Sequence, residues 1–337
     1  MAKINTNEIQ LRFINELKKY AGNLSIADIM CDVLNLSADS AYRRIRGETV
    51  LGLDETILMC KHFNISPEIL MERASNKVTF SYKSIAGPDF DLDNYLQSII
   101  DDIEQSRQLD IRQLYFAAED VPVFHHMDFD LLTPFKFFYW RKSILNDPAL
   151  QGKKFELKHI GKRTLQLAQR ISFLYNIIPA TEIWTEETIT STLSQIVYYA
   201  EAGLFQNKKD AIGVCQDVRL LMQHLQHQAE LGTKFLRSNK KPTILNNFNL
   251  YACEVQIGNN SILVVSETLK TSFLSFNTFN GLQTFNLNYC NENERWINNL
   301  IQKAMLISVV SEKQRLQFFR AVSKLIDAAQ EKVERSF

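Results

Sequence analysis

A chain of 337 residues is long enough for two or three domains, each with a core of its own. Its apolar fraction of 45% and charged fraction of 23% are those of an ordinary globular protein and exclude a fibrous or largely disordered one. Lysine plus arginine balance aspartate plus glutamate at 38 each, so no net charge draws the whole molecule to nucleic acid, and no apolar run approaches the ~20 residues that a bilayer demands. Met1 to Asn7 is polar and carries no signal-peptide pattern. Cys31, Cys60, Cys215, Cys253 and Cys290 are scattered, without a Cys-x-x-Cys pair. Both features predict a cytoplasmic chain with reduced thiols and no disulfide or zinc framework.

Thr6 to Tyr20 opens the chain as a helix with Ile9, Phe13 and Leu17 on one stripe. Leu24 to Leu34 gives a second, apolar at Ile26, Ile29, Met30, Val33 and Leu34. The turn Asn35-Leu36-Ser37 follows, with Leu36 as its buried plug and Ser37 as N-cap of a helix of about ten residues that Gly47 ends. Ala41 and Ile45, four apart, share a face that can lie against neighbouring helices. Ser40, Arg43 and Arg44 project elsewhere, and Arg46 sits just before the stop. Taken alone, these residues read as a solvated surface helix. Their flanks reverse that reading: Leu53 to Phe63 is a further amphipathic helix, and Ile65 to Leu70 opens another with Ser66 as cap and Pro67 at its first position.

In this order the segment from roughly 24 to 70, or 6 to 71 with the preceding helix, resembles the Cro/C1-type (lambda-repressor-like) helix-turn-helix family. Asn35 stands where family members usually carry glycine, and Ile45 takes the apolar role that they place at Arg44. The resemblance implies a DNA-binding transcriptional regulator whose recognition helix, Ser37 to Arg46, enters the major groove of double-stranded DNA. Its implied contact residues are Ser37, Ala38, Asp39, Ser40, Tyr42, Arg43, Arg44 and Arg46. Charge pulls the other way. Nine cations among the first 75 residues face ten carboxylates, although three of the nine lie between 43 and 46. One such head binds weakly, so the expectation is a homodimer on two half-sites. The alternative is a protein-interaction module built on the same bundle, with no DNA affinity.

The reading assigns 1–74 to the DNA-binding domain, 75–90 to a linker with one short strand around Val78 to Tyr82, 91–240 to a mainly helical region, and 241–337 to an antiparallel sheet with two helices. Leu92 to Leu109 is helical, and Ile111 to Phe124 is extended through Leu114 to Ala118. Phe135, Phe137, Phe138, Tyr139 and Trp140 crowd a helix over 131–145, a density that favours core over the alternative of a ligand pocket lined by those rings. Residues 157–177, 186–204 and 208–231 read as long amphipathic helices in antiparallel hairpins, without the ~34-residue tetratricopeptide period.

From Asn249 the pattern alternates. Gly258-Asn259-Asn260 predicts a hairpin between 251–257 and 261–266, and Phe279-Asn280-Gly281 a second between 270–278 and 282–287. Two helices are expected to cover this meander: 292–306, and one from Ser311 to about Glu334 that starts with a capping box and buries Leu316, Phe319, Val322, Leu325 and Ile326. Phe273 and Phe285 fall on one face of the sheet and Phe276 on the other, so a helix layer, a second subunit or a small-molecule or peptide effector must supply a second cover. The fold class is mainly α with an α+β C-terminal part.

Catalytic signals are thin. His125-His126-Met127-Asp128, if extended, points its imidazoles to opposite faces, and His224, His227 and Glu230 form a pattern common on exposed helices. Glycine is scarce at 11 residues, with no phosphate loop and no nucleophile elbow. No enzyme activity, metal or cofactor is expected.

Overall fold

The computed structural model describes residues 6–22, 24–63, 65, 67, 77–85, 90–107, 111–238, 244–277 and 279–337. The helix expected at 66–70 lies outside the described residues apart from Pro67, as do Gly87-Pro88 of the linker. Four helices come first: α1 (Thr6–Ala21), α2 (Ile26–Leu34), α3 (Ala38–Ile45) and α4 (Leu53–His62). Their apolar stripes converge on a core of Phe13, Leu17, Ile26, Met30, Ala41 and Met59. Ala41 is wholly buried, so α3 approaches α2 as closely as a single methyl allows.

The rest of the chain builds one mixed sheet. Its elements are β1 (Ser81–Tyr82), α5 (Leu92–Arg107), β2 (Ile111–Ala118), α6 (Val123–His126), α7 (Leu132–Tyr139), α8 (Lys162–Asn176), β3 (Ala180–Trp184) and α9 (Thr190–Glu201). Then come α10 (Lys208–Leu231), β4 (Phe248–Ala252), β5 (Ser261–Ser266), β6 (Lys270–Phe276), β7 (Asn280–Thr284), α11 (Leu287–Lys303), β8 (Met305–Leu306) and α12 (Glu312–Arg335). Among the described residues the strand order is β1-β7-β6-β5-β2-β3-β4-β8. β2, β3 and β4 run parallel, and the other neighbours pair antiparallel.

The two faces of the sheet bury different sets. Ala180 and Trp184 of β3 turn towards the helical layer, while Ile183 turns towards α11, where Cys290, Ile297 and Leu300 meet it. The main core runs from Leu92 to Val333, across the boundary expected at 240. At its centre the aromatic cluster is core, as its density implied: Phe135, Phe137, Phe138 and Trp140 are buried, and Phe135 stacks on Phe205 at 5.4 Å. Each such ring contributes roughly 1.5–3 kcal/mol by burial.

Several expectations are corrected. Of the three long helices after 157, α8 and α9 do not form the expected hairpin, because β3 separates them: α8 lies in the crossover from β2 to β3, and α9 and α10 lie together in the crossover from β3 to β4. The hairpin at Gly258-Asn259-Asn260 does not form either. β3 and β2 lie between β4 and β5, so the chain passes across them before β5 pairs with β2. β6 and β7 do form a hairpin, but Asn280 pairs with Phe276 inside the ladder, and Asn277 (φ 50°) takes the left-handed turn position. Ser311 is itself left-handed (φ 58°) and makes no cap; the Arg315 guanidinium donates instead to the Ile307 and Val310 carbonyls at 3.0 and 3.1 Å. Leu316 and Leu325 are exposed, and α12 buries Phe318, Phe319, Val322, Ile326 and Val333 against α9 and α10. Of the two C-terminal helices, α11 packs on β5 and β6, and α12 packs chiefly on the helical layer. Among the described residues no helix is long and apolar enough to cross a membrane.

Candidate nucleic-acid interface

The surface centred on α3 is built by local caps and one long-range clamp. Ser25 accepts the Asp28 amide and starts α2. Asn35 ends it in the left-handed region (φ 51°, ψ 52°), a conformation that asparagine tolerates better than other residues with a Cβ. Ser37 then turns extended, and its Oγ accepts the Ser40 amide at 3.4 Å. Gly47 (φ 75°) reverses the chain after α3, where a Cβ would run into the Asn7 side chain. The clamp is Gln10 of α1. Its amide nitrogen donates to the Arg44 and Thr49 carbonyls, both at 2.8 Å, and its oxygen accepts the Leu51 amide at 2.9 Å. One buried side chain thus fixes the whole α3–α4 connection. No local pattern marks Gln10, because its partners lie 34 to 41 residues away.

Of the residues expected at a DNA contact, Ser37, Ala38, Asp39, Tyr42, Arg43 and Arg46 are exposed on one surface, with Ser40 half-buried beside them. Arg44 is not among them. Its guanidinium forks onto Glu55 of α4, Nε to Oε2 at 3.1 Å and the terminal nitrogen to Oε1 at 2.8 Å. Burial pushes the Glu55 carboxyl up, but the hydrogen bonds from Arg44 and the Gly52 amide outweigh it and hold the group below its ordinary value. The two exposed arginines share Glu48, at 2.6 Å from Arg46 and 3.9 Å from Arg43. Such pairs in open solvent hold their partners weakly, so both guanidinium groups can leave Glu48 for a phosphate.

The bundle rests on the sheet through the end of α1. The Tyr20 ring meets Phe285, just before α11, edge-on at 5.4 Å, and Thr268 donates to the Lys19 carbonyl at 3.4 Å. Burial raises the Tyr20 hydroxyl well above its ordinary range, so it stays neutral.

The histidines of the sequence reading separate. α6 is a helical turn and not a strand, and it sends the His125 ring to a buried carboxylate, Glu182 of β3, at 2.8 and 3.1 Å. Glu182 also accepts the Tyr175 hydroxyl at 2.6 Å and the Trp184 indole at 2.9 Å. Lys234 stands over the Tyr175 ring at 3.8 Å and donates to its carbonyl at 2.6 Å. Burial drives the Glu182 carboxyl up, and His125, Lys234 and Tyr175 together bring it back below its ordinary value. The effect is a closed polar knot inside the core, with no exposed atom of Glu182 for a substrate to reach. His126 is buried and held neutral by desolvation, and Asp128 accepts the Arg237 amide. His224 faces the Phe235 carbonyl at 2.8 Å, and His227 pairs with Glu230 at 3.4 Å. Among the described residues no three histidine, cysteine or acidic side chains stand close enough to hold a metal ion.

Compared with known proteins, the chain matches no family model, no curated protein and no solved structure.

Proposed function

We propose that the chain is a DNA-binding transcriptional regulator of helix-turn-helix type, with α3 as recognition helix and a homodimer as the binding unit. What carries the reading is the joint of α2 to α3: left-handed Asn35, capping Ser37 and buried Ala41 turn a short helix so that Tyr42, Arg43 and Arg46 face outwards together. Arg43 and Arg46 supply the phosphate and base contacts, with Ser37, Ala38, Asp39 and Ser40 at the leading end of the helix. Arg44 braces α3 against α4. Two copies joined through residues beyond 90 would provide the affinity that one near-neutral head lacks.

A mobility-shift assay with promoter fragments of the protein's own operon, at two salt concentrations, tests this. A shift that weakens with salt and disappears in Arg43→Ala/Arg46→Ala is the expected result. Absence of any shift from the folded chain overturns the reading. One observation favours a protein-interaction module as the second reading: Val50, Leu53, Ile57 and Leu58 leave large apolar side chains exposed on and beside α4. Under that reading the arginine changes are silent, and Leu53→Ser/Ile57→Ser abolishes partner binding.

A further inference from the structure

α11 packs on the sheet through Cys290, Ile297 and Leu300, yet its neighbouring flank is left open. Tyr289, Glu292, Asn293 and Trp296 follow the i, i+3, i+4, i+7 spacing, so all four line one side of the helix. Between that side and the loop that starts at Gly258 lies an open groove of about 330 Å³, the lower end of the ~300–1,000 Å³ range of small-molecule sites. Its floor is preorganised: Ser261 donates to Asn293 at 2.9 Å, and Asn293 donates to Ser272 at 3.2 Å, so the buried amide is fixed before anything binds. Its walls are aromatic. Trp296 is 38% exposed, which is unusual for the largest apolar side chain, and Tyr289 is backed edge-on by Phe80 at 5.3 Å.

The charge of the lining selects the ligand. Glu292 is the one ionised group on the groove, and no lysine, arginine or histidine lines it among the described residues. Arg295 approaches Glu292 only at 3.9 Å, with both side chains largely in solvent, and can be displaced. Two ring faces, an available carboxylate and no cation suit a flat ring carrying an ammonium group, which can stack on Trp296 and pair with Glu292. An anion would meet the Glu292 carboxylate and no cation among the lining residues to offset it. We propose that this groove binds a small aromatic amine. The proposal is independent of DNA binding, since a chain that shifts no DNA can still hold such a ligand.

Isothermal titration of the full chain with tryptamine, and with indole-3-acetate as the same ring bearing the opposite charge, tests it. The expected result is saturable binding of tryptamine and none of indole-3-acetate. Glu292→Gln should then weaken tryptamine several-fold and Trp296→Ala about tenfold, as loss of a cation–π contact predicts. Both side chains are exposed enough for the variants to keep the parent's melting curve, which is recorded alongside. No saturable heat with tryptamine, equal binding of indole-3-acetate, or full affinity retained in Trp296→Ala overturns the proposal.

Discussion

Glu55 receives Arg44 with both carboxylate oxygens and accepts the Gly52 amide at 3.0 Å, so one side chain ties α3 to the first turn of α4. This divides three arginines that are nearly adjacent in sequence into two roles, brace and contact.

Arg44→Ala should lower the stability of the N-terminal bundle by about 1–2 kcal/mol, the worth of hydrogen bonds to a charged group that is mostly shielded. Arg43→Ala should change it little. Because the folded Glu55 carboxyl titrates below its unfolded value, its contribution is present above the ordinary carboxylate range and is lost as pH falls through the folded value. Urea unfolding of both variants at neutral pH and at pH 4 checks the assignment; equal losses from Arg43→Ala and Arg44→Ala would refute it.

Glu48 lies against both exposed arginines and competes with phosphate for them. If α3 binds DNA, Glu48→Gln should tighten binding several-fold at low salt, with a smaller gain at high salt. Unchanged or weaker binding in a mobility-shift titration would show that Glu48 is no competitor.

Removing Glu182 leaves His125, the Tyr175 hydroxyl and the Trp184 indole without their shared acceptor inside the core. Glu182→Leu should therefore cost about 3–5 kcal/mol, the range for breaking a buried charged network. Glu182→Gln, which keeps the shape and one acceptor, should cost less. Chemical denaturation of the two variants tests the order, and the reverse order would mean that size, not polarity, holds this site.

Desolvation lowers Lys234 to about 7, far below its unfolded range. Above that value the folded chain binds fewer protons here than the unfolded one, so stability from this group rises between about pH 7 and the ordinary lysine range. Lys234→Met abolishes the rise. The comparison is the difference in unfolding free energy between parent and variant at pH 7 and 9.5, which removes the thiols that titrate in the same window. A difference that stays constant would mean that Lys234 titrates normally.

The helices of the bundle were legible because their signals are local: periodicity in α1 and α2, Ser37 as cap, Gly47 as stop. Asn35 takes a left-handed position where the family resemblance anticipates glycine. β3 was not legible. Its five residues are buried on both faces, so no alternation survives, and Glu182 at its centre reads as a surface residue. The hairpin at 258–260 failed for a related reason. Gly258-Asn259-Asn260 is a sound turn signal, but which edge β5 joins is decided by β2, far upstream. Ser311 shows that a capping box can match in sequence while the backbone places the serine where it cannot cap. The α11 residues carried a helical spacing, yet their shared open flank became visible only once the 258–261 loop was placed opposite.

The pairing of β2 with β5 also sets an order of events during synthesis. Among the described residues the core of the bundle ends at Ile65, so it draws on none of the sheet and can close while the later strands are still being made. Phe116 must wait for Ile262, and Leu114 for Val264, before the central strand gains its antiparallel neighbour. Through that interval the edge of β2 is an unpaired template beside an unfinished core, the arrangement that other nascent chains can capture. Refolding from denaturant should accordingly show a fast phase from the N-terminal helices and a slow, concentration-sensitive phase from the sheet, and chaperones that shield strand edges should speed only the second.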